Sequence, residues 1–151
     1  MTTDLILAAA HHLLMFAIAA LLVTELVLVF RGLNGATIVI LSRLDAWFGV
    51  SAGSLLVIGF LRVFLGAKPE AYYFENPVFW TKIGAFAIVG FLSIVPTIRF
   101  IRWAQPARAD RSFQPPPEEL RTVKRFILLE GGIFLLIPVL AAAMARGYGL
   151  A

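Results

Sequence analysis

The sequence predicts an all-α integral membrane protein, a four-helix bundle with both termini on the periplasmic side. Three observations carry that prediction. Apolar residues fill 60% of the 151 positions and charged residues only 15%, with mean hydropathy +0.89, more apolar surface than a water-soluble domain of this size carries. The apolar residues gather into four runs, 5–30, 44–65, 78–101 and 123–145, each long enough at a rise of about 1.5 Å per residue to cross roughly 30 Å of hydrocarbon. The charges lie mostly in the connections and helix ends, and they are unevenly shared between the two sides. Strict alternation over segments of about ten residues, the mark of a membrane barrel, is absent. The whole chain, 1–151, reads as one transmembrane domain without internal repeats.

The first run is a retained helix rather than a cleaved signal, because residues 1–4 carry an acid and no basic segment. Its polar residues are His11, His12, Thr24 and Glu25. His11, Ile18 and Glu25 are spaced by seven and share one face with Met15 and Leu22, whereas His12 lies about 100° away. The second run holds Gly49 and Gly53 as a GxxxG pair beside Ser54, a pattern that lets helices approach closely, and it carries Arg62 near its end. The connection 66–77 is aromatic: Tyr72, Tyr73, Phe74 and the following Trp80 fit an interfacial belt.

Asn76 and Pro77 form an N-cap and a first-turn proline for the third helix. Lys82 follows, and Pro96 is expected to kink that helix. The stretch 102–122 reads as a cytoplasmic linker, stopped by Pro115, Pro116 and Pro117. Glu118 and Glu119 then suit the first turn of the last helix. That helix contains Glu130, the close-packing pair Gly131 and Gly132, a kinking Pro138, and Met144. Trp47 and Trp103 are expected as belt residues near the inner interface.

Lys and Arg set the orientation. Arg31, Arg43, Arg99, Arg102, Arg108, Arg111, Arg121, Lys124 and Arg125 fall on one side, against Arg62, Lys68, Lys82 and Arg146 on the other. The richer side is cytoplasmic by the positive-inside rule. The pI near 10.0 therefore reports topology, not nucleic-acid binding. Cysteine is absent, which removes disulfides and thiolate metal sites.

Topology converts positions into depth. An outer layer holds His11, His12, Arg62, Lys82 and Met144. An inner layer holds Glu25, Arg43, Asp45, Arg99 and Glu130. Between them only Ser51, Ser54 and Ser93 are polar, which argues against a proton wire. An imidazole beside two cations suits an anionic, largely apolar cofactor such as haem b, with His11 or His12 on the iron and Arg62 and Lys82 on the propionates. The competing reading is that His11 bonds a neighbouring helix and the cations snorkel. Two adjacent histidines cannot face both sides of one iron, leaving a five-coordinate site, Met144 as second ligand, or a site shared in a homodimer. In the inner layer, Arg43 and Arg99 are expected to pair with Glu25 and Glu130. Glu130 is alternatively a proton donor or acceptor beside a redox cofactor.

The segments AAAHHLLM, SRLDAWFG, FWTKIGAF and KRFILLEGG open or lie early in the four helices. In them the chain resembles an uncharacterised family of predicted bacterial four-helix membrane proteins and, more distantly, the HemJ-type protoporphyrinogen oxidases and CopD-type copper-resistance membrane proteins. The HemJ resemblance implies haem b on His11 or His12 and a functional, catalytic lysine at Lys82. The chain departs from that pattern at Glu25, where the family has arginine. Phe48-Gly49 and Leu129-Glu130 also stand near where it has proline-glycine and asparagine-glutamate pairs. Three functions follow as expectations for a multi-pass protein of the bacterial inner membrane. The first is a haem-dependent oxidoreductase. The second is a copper-handling protein using His11, His12, Met15 and Met144. The third is a structural or assembly subunit whose polar residues only pair helices.

Overall fold

In hydrocarbon every backbone polar group needs an internal partner, so long apolar runs become helices. The structure, a computed structural model, describes residues 2–149. Residues 1, 150 and 151, which the sequence reading includes in the single domain, lie outside the described residues. The elements are α1 (Thr2–Arg31), α2 (Gly35–Leu65), the single turn α3 (Ala71–Phe74), α4 (Pro77–Ala109), α5 (Pro117–Phe134) and α6 (Leu136–Ala145). Helices α1, α2, α4 and the α5–α6 pair are each long and apolar enough to cross a membrane, and the protein is a multi-pass membrane protein. Helix α1 packs on α2, α2 on α4, α4 on α5 and α6, and α5 returns to α1, closing the bundle.

All four expected helices are present, but the helices run longer than the apolar pattern indicates. The stretch 31–43, expected as a connection, shrinks to residues 32–34. Asn34 caps α2 by accepting the Thr37 amide at 2.9 Å, and Gly32 supplies a φ of 105° for the reversal. Ile38 and Leu41 then enter the core. The linker 102–122 likewise contracts to residues 110–116, because α4 continues through Pro106 to Ala109 and α5 starts at Pro117. There Asp110 accepts both the Ser112 amide and its hydroxyl, at 2.8 and 2.7 Å, which holds the Asp110 carboxyl below its usual range. Helix α4 runs unbroken through Pro96. At Pro138 the fourth spanning helix does break: Leu135 separates α5 from α6, one residue past Phe134, whose carbonyl the missing Pro138 N–H cannot serve.

The core stacks in three blocks. At one end lie Val29, Ile38, Leu41, Phe100, Trp103, Val123 and Ile127. The centre holds Ile18, Leu22, Phe48, Leu55, Val89, Phe134 and Ile137. At the other end Val63, Phe79 and Met144 pack together. This last end also gathers the termini: Asp4 accepts the Ala67 amide at 3.3 Å, and Asn76 Nδ2 donates to the Tyr148 carbonyl at 3.1 Å. We call it the terminal end.

Close backbone approach occurs elsewhere than expected. Gly49 and Gly53 are exposed, with open space where a Cβ would stand, and so is Gly132; Gly131 reaches only Leu26. Among the glycines within helices the tight one is Gly35, whose amide donates to the Arg111 carbonyl at 3.0 Å. A Cβ there would lie 2.5 Å from the Asp110 carbonyl oxygen and 2.8 Å from that of Ala107. Trp47 is exposed as a belt residue would be, but Trp103 is buried. Its indole N–H donates to Glu119 Oε2 at 2.8 Å, so burial comes with its own hydrogen-bond partner.

Overpacking of this kind costs about 1–3 kcal/mol. Gly35→Val is therefore expected to lower the thermal midpoint in detergent and to speed proteolysis within 110–116. The exposed Gly49→Val is expected to leave both nearly unchanged.

Candidate functional site

Two polar constellations sit at different levels. The first is at the terminal end. Helix α1 brings His11, His12 and Met15, helix α2 brings Gly59 and Arg62, the following connection brings Lys68, Tyr72 and Tyr73, and α6 brings Pro138 and Met144. Together they line a cavity of about 640 Å³, within the range of roughly 300–1,000 Å³ usual for small-molecule sites. A narrower cleft of about 60 Å³ adjoins it and shares His11, Met15 and Gly59 with it, adding Phe79, Lys82 and Phe86. The break at Leu135 is what makes room. Helix α5 packs on α1, while α6 packs on α4, so the bundle gapes between α1 and α6.

Among the described residues lining this cavity, His11 Nδ1 and Arg62 Nε are buried without a hydrogen-bond partner. Buried polar groups in a folded protein ordinarily have partners, so these two leave hydrogen-bonding capacity unmet beside the cavity. Gly59 faces the His11 ring: a Cβ there would stand 3.4 Å from His11 Cε1, in van der Waals contact. His12 is more exposed. Its Nδ1 lies 2.7 Å from the Ala8 carbonyl oxygen. As donor to that carbonyl it leaves Nε2 as the available nitrogen, the arrangement that commonly orients a ligating histidine. The two rings meet edge to face with centroids 6.2 Å apart. Lys68 lies over the Tyr72 ring at 3.6 Å, and Lys82 lies 5.4 Å from the Phe79 ring centroid. Tyr72 Oη donates to the Met144 carbonyl at 2.7 Å, tying the connection to α6 beside the cavity. Met144 itself is buried.

The structure thus brings His11, His12, Arg62 and Met144 around one cavity, with Lys82 on the adjoining cleft. Lys68, Tyr72 and Gly59 join them without having been singled out as site residues. Their signal in the sequence was weak, since a loop lysine, a belt tyrosine and a helix glycine each have ordinary roles. Glu130 lines neither cavity. It belongs to the second constellation with Glu25 and Asp45, all three buried. The expected pairing of those acids with arginines is not formed. Arg99 Nη1 instead meets Glu119 Oε1 at 2.6 Å, and Arg43 is exposed, because each cation sits on a face that leads out of the core. Among the described residues no three His, Asp or Glu side chains converge on a metal ion.

The cavity can receive a molecule with an apolar body, anionic groups for Arg62 and Lys68, and an atom that takes an imidazole nitrogen. The model of a family described as predicted membrane protein (DUF2214) matches residues 3–149. No curated protein and no solved structure matches the chain.

The terminal end is held by Asn76, fully buried, whose Oδ1 caps α4 by accepting the Val78 amide at 2.8 Å while its amide holds Tyr148. Asn76→Ala removes both contacts and is expected to cost about 2 kcal/mol, summed from a lost cap and a lost hydrogen bond. Asn76→Ser keeps the cap and is expected to recover about half of that in thermal unfolding.

Proposed function

The chain belongs to this family of predicted membrane proteins, and we propose that it binds haem b in the terminal-end cavity and serves a redox reaction at the membrane. The observation that carries the reading is the gathering of two imidazoles and the cations Arg62 and Lys68 on otherwise apolar walls, with His11 Nδ1 and Arg62 Nε buried and unpartnered. That donor set fits the group: His11 or His12 to the iron, Arg62 and Lys68 to the propionates, and apolar side chains such as Phe16 and Phe134 to the macrocycle. When bound, haem supplies one-electron exchange at its iron. The chain's own part is to orient and to exclude water. Tyr72 and Met144 hold the connection against α6, Gly59 packs against the imidazole, and Lys82 stands on the cleft beside His11.

A second reading draws on the same lining. His11, His12, Met15 and Met144 combine imidazole with thioether, a set suited to Cu(I). The two readings separate by colour. Protein purified in mild detergent from haem-supplied cells is expected to show a Soret band with sharp reduced α and β bands. His11→Ala or His12→Ala is expected to abolish it. Loss of the charge-assisted contact in Arg62→Ala, worth about 1.5–3 kcal/mol, is expected to weaken haem affinity roughly tenfold or more. Colourless protein overturns the haem reading, and bound copper would then support the second.

From the positive-inside count we infer that this cavity faces the periplasmic side of a bacterial inner membrane. The chain has no cysteine, so single cysteines report topology directly. Cysteine at Thr2 or Gly149 is expected to react with an impermeant maleimide in cells whose outer membrane is opened. Cysteine at Ser112 is expected to react only after lysis.

A further inference from the structure

Each spanning helix turns one seam of residues into the core. On α1 the seam reads Ile18, Leu22, Glu25, Val29; on α2, Leu41, Asp45, Phe48; on α5, Ile127, Glu130, Phe134. In all three an acid stands between a residue of the central core block and a residue of the end block. On α4 the corresponding place is taken by Pro96 and Thr97, between Val89 and Phe100. Three carboxylates from three helices therefore occupy one thin layer, closed above and below by hydrocarbon.

Among the described residues the layer contains no counter-charge. Glu25, Asp45 and Glu130 are 3%, 5% and 2% exposed. Glu25 Oε1 and Glu130 Oε1 are buried with no hydrogen-bond partner. Asp45 Oδ1 accepts from Thr97 Oγ1 at 2.8 Å, which is one neutral donor for three acids. The charged neighbours of Glu25 are Asp45 and Glu130, and that of Glu130 is Asp45. From α4 the nearest basic residue in sequence, Arg99, is engaged by Glu119, and on α2 Arg43 is exposed. Three bare carboxylates in so dry a place repel one another and forfeit their hydration, a cost of many kcal/mol that proteins avoid by pairing or neutralisation. Since the protein supplies no cation, the positive charge comes from outside it.

We propose that Glu25, Asp45 and Glu130 form an enclosed proton-binding site. No group of three His, Asp or Glu among the described residues is placed to hold a metal ion, which sets aside metal cations, alkali ions included, and leaves the proton, positive charge placed on carboxylate oxygen. Protonation is coupled to packing, because an emptied layer places like charges on three helices of one bundle.

The test is infrared spectroscopy of the purified full chain in lipid nanodiscs at neutral pH, in sodium-free buffer and with sodium chloride added. A protonated-carboxyl C=O band that shifts in heavy water is expected in sodium-free buffer. It is expected to diminish in each of Glu25→Gln, Asp45→Asn and Glu130→Gln, and to vanish in the triple variant. A band unaffected by sodium identifies the proton as occupant. A band removed by sodium, with radiosodium retained by the wild type and not by the triple variant, identifies an alkali ion and overturns the proposal. Should the variants fail to fold, isotopic labelling of the Asp and Glu carboxyls assigns the band in the unmutated chain. No band in either buffer and no retained radiosodium would mean carboxylates that are charged and uncompensated or paired otherwise, and would overturn the proposal.

Discussion

A polar atom inside a bilayer has no water to fall back on, and this constraint shapes every part of the bundle. It forces the backbone into helices. It sends the hydroxyls of Thr24, Ser54, Thr81 and Thr122 back onto the carbonyl four residues earlier in their own helices. It also gives Trp103, deep in the core, a carboxylate for its indole N–H, and gives that carboxylate an arginine. Where these local solutions are available the helices pack as plain apolar rods. Among the described residues, the buried side-chain atoms for which none is available are His11 Nδ1 and Arg62 Nε at the terminal end and Glu25 Oε1 and Glu130 Oε1 further along the bundle.

Those atoms mark the two places where the chain departs from packing. The departures have opposite electrostatic character. At the terminal end, imidazoles and cations surround open volume, so that site is shaped for something with size and negative charge. Between the central and end core blocks, three buried acids are closed above and below by apolar side chains, so that layer suits something with positive charge and almost no size. The break at Leu135 is the structural cause of the difference: α5 keeps to α1 alongside Glu130, while α6 leaves α1 and opens the cavity.

Much of this was legible in the sequence. Four spans, the Asn76–Pro77 helix start, the acidic first turn of the last helix and the His11–Ile18–Glu25 stripe all follow from local rules about apolar length, capping and periodicity. The helix extensions into 35–43 and 102–109 were not legible, because hydropathy sees where lipid begins and not where hydrogen bonding ends. Partner choice was also hidden. Arg99 has acids to choose from in the sequence, and only the packing of α4 on α5 selects Glu119 over Glu130. The GxxxG of α2 shows the same limit. The spacing of Gly49 and Gly53 permits close approach, but within this chain no helix makes it; Gly35, outside any recognisable motif, does.

The relation between the two polar levels constrains what chemistry at the cavity can involve. Ile18, Leu22, Phe48, Val89 and Phe134 lie between them, and no side chain of that block can relay a proton. Of the three serines at this level, Ser51, Ser54 and Ser93, the last two spend their hydroxyls on their own helices. The short route for protons consumed or released beside His11 and Lys82 is the terminal end, where Lys68 and the Tyr72 connection border the cavity. A charge change in that layer can reach the cavity along α1, which carries His11 and Glu25 on a single face, and along α2, which carries both Asp45 and Arg62.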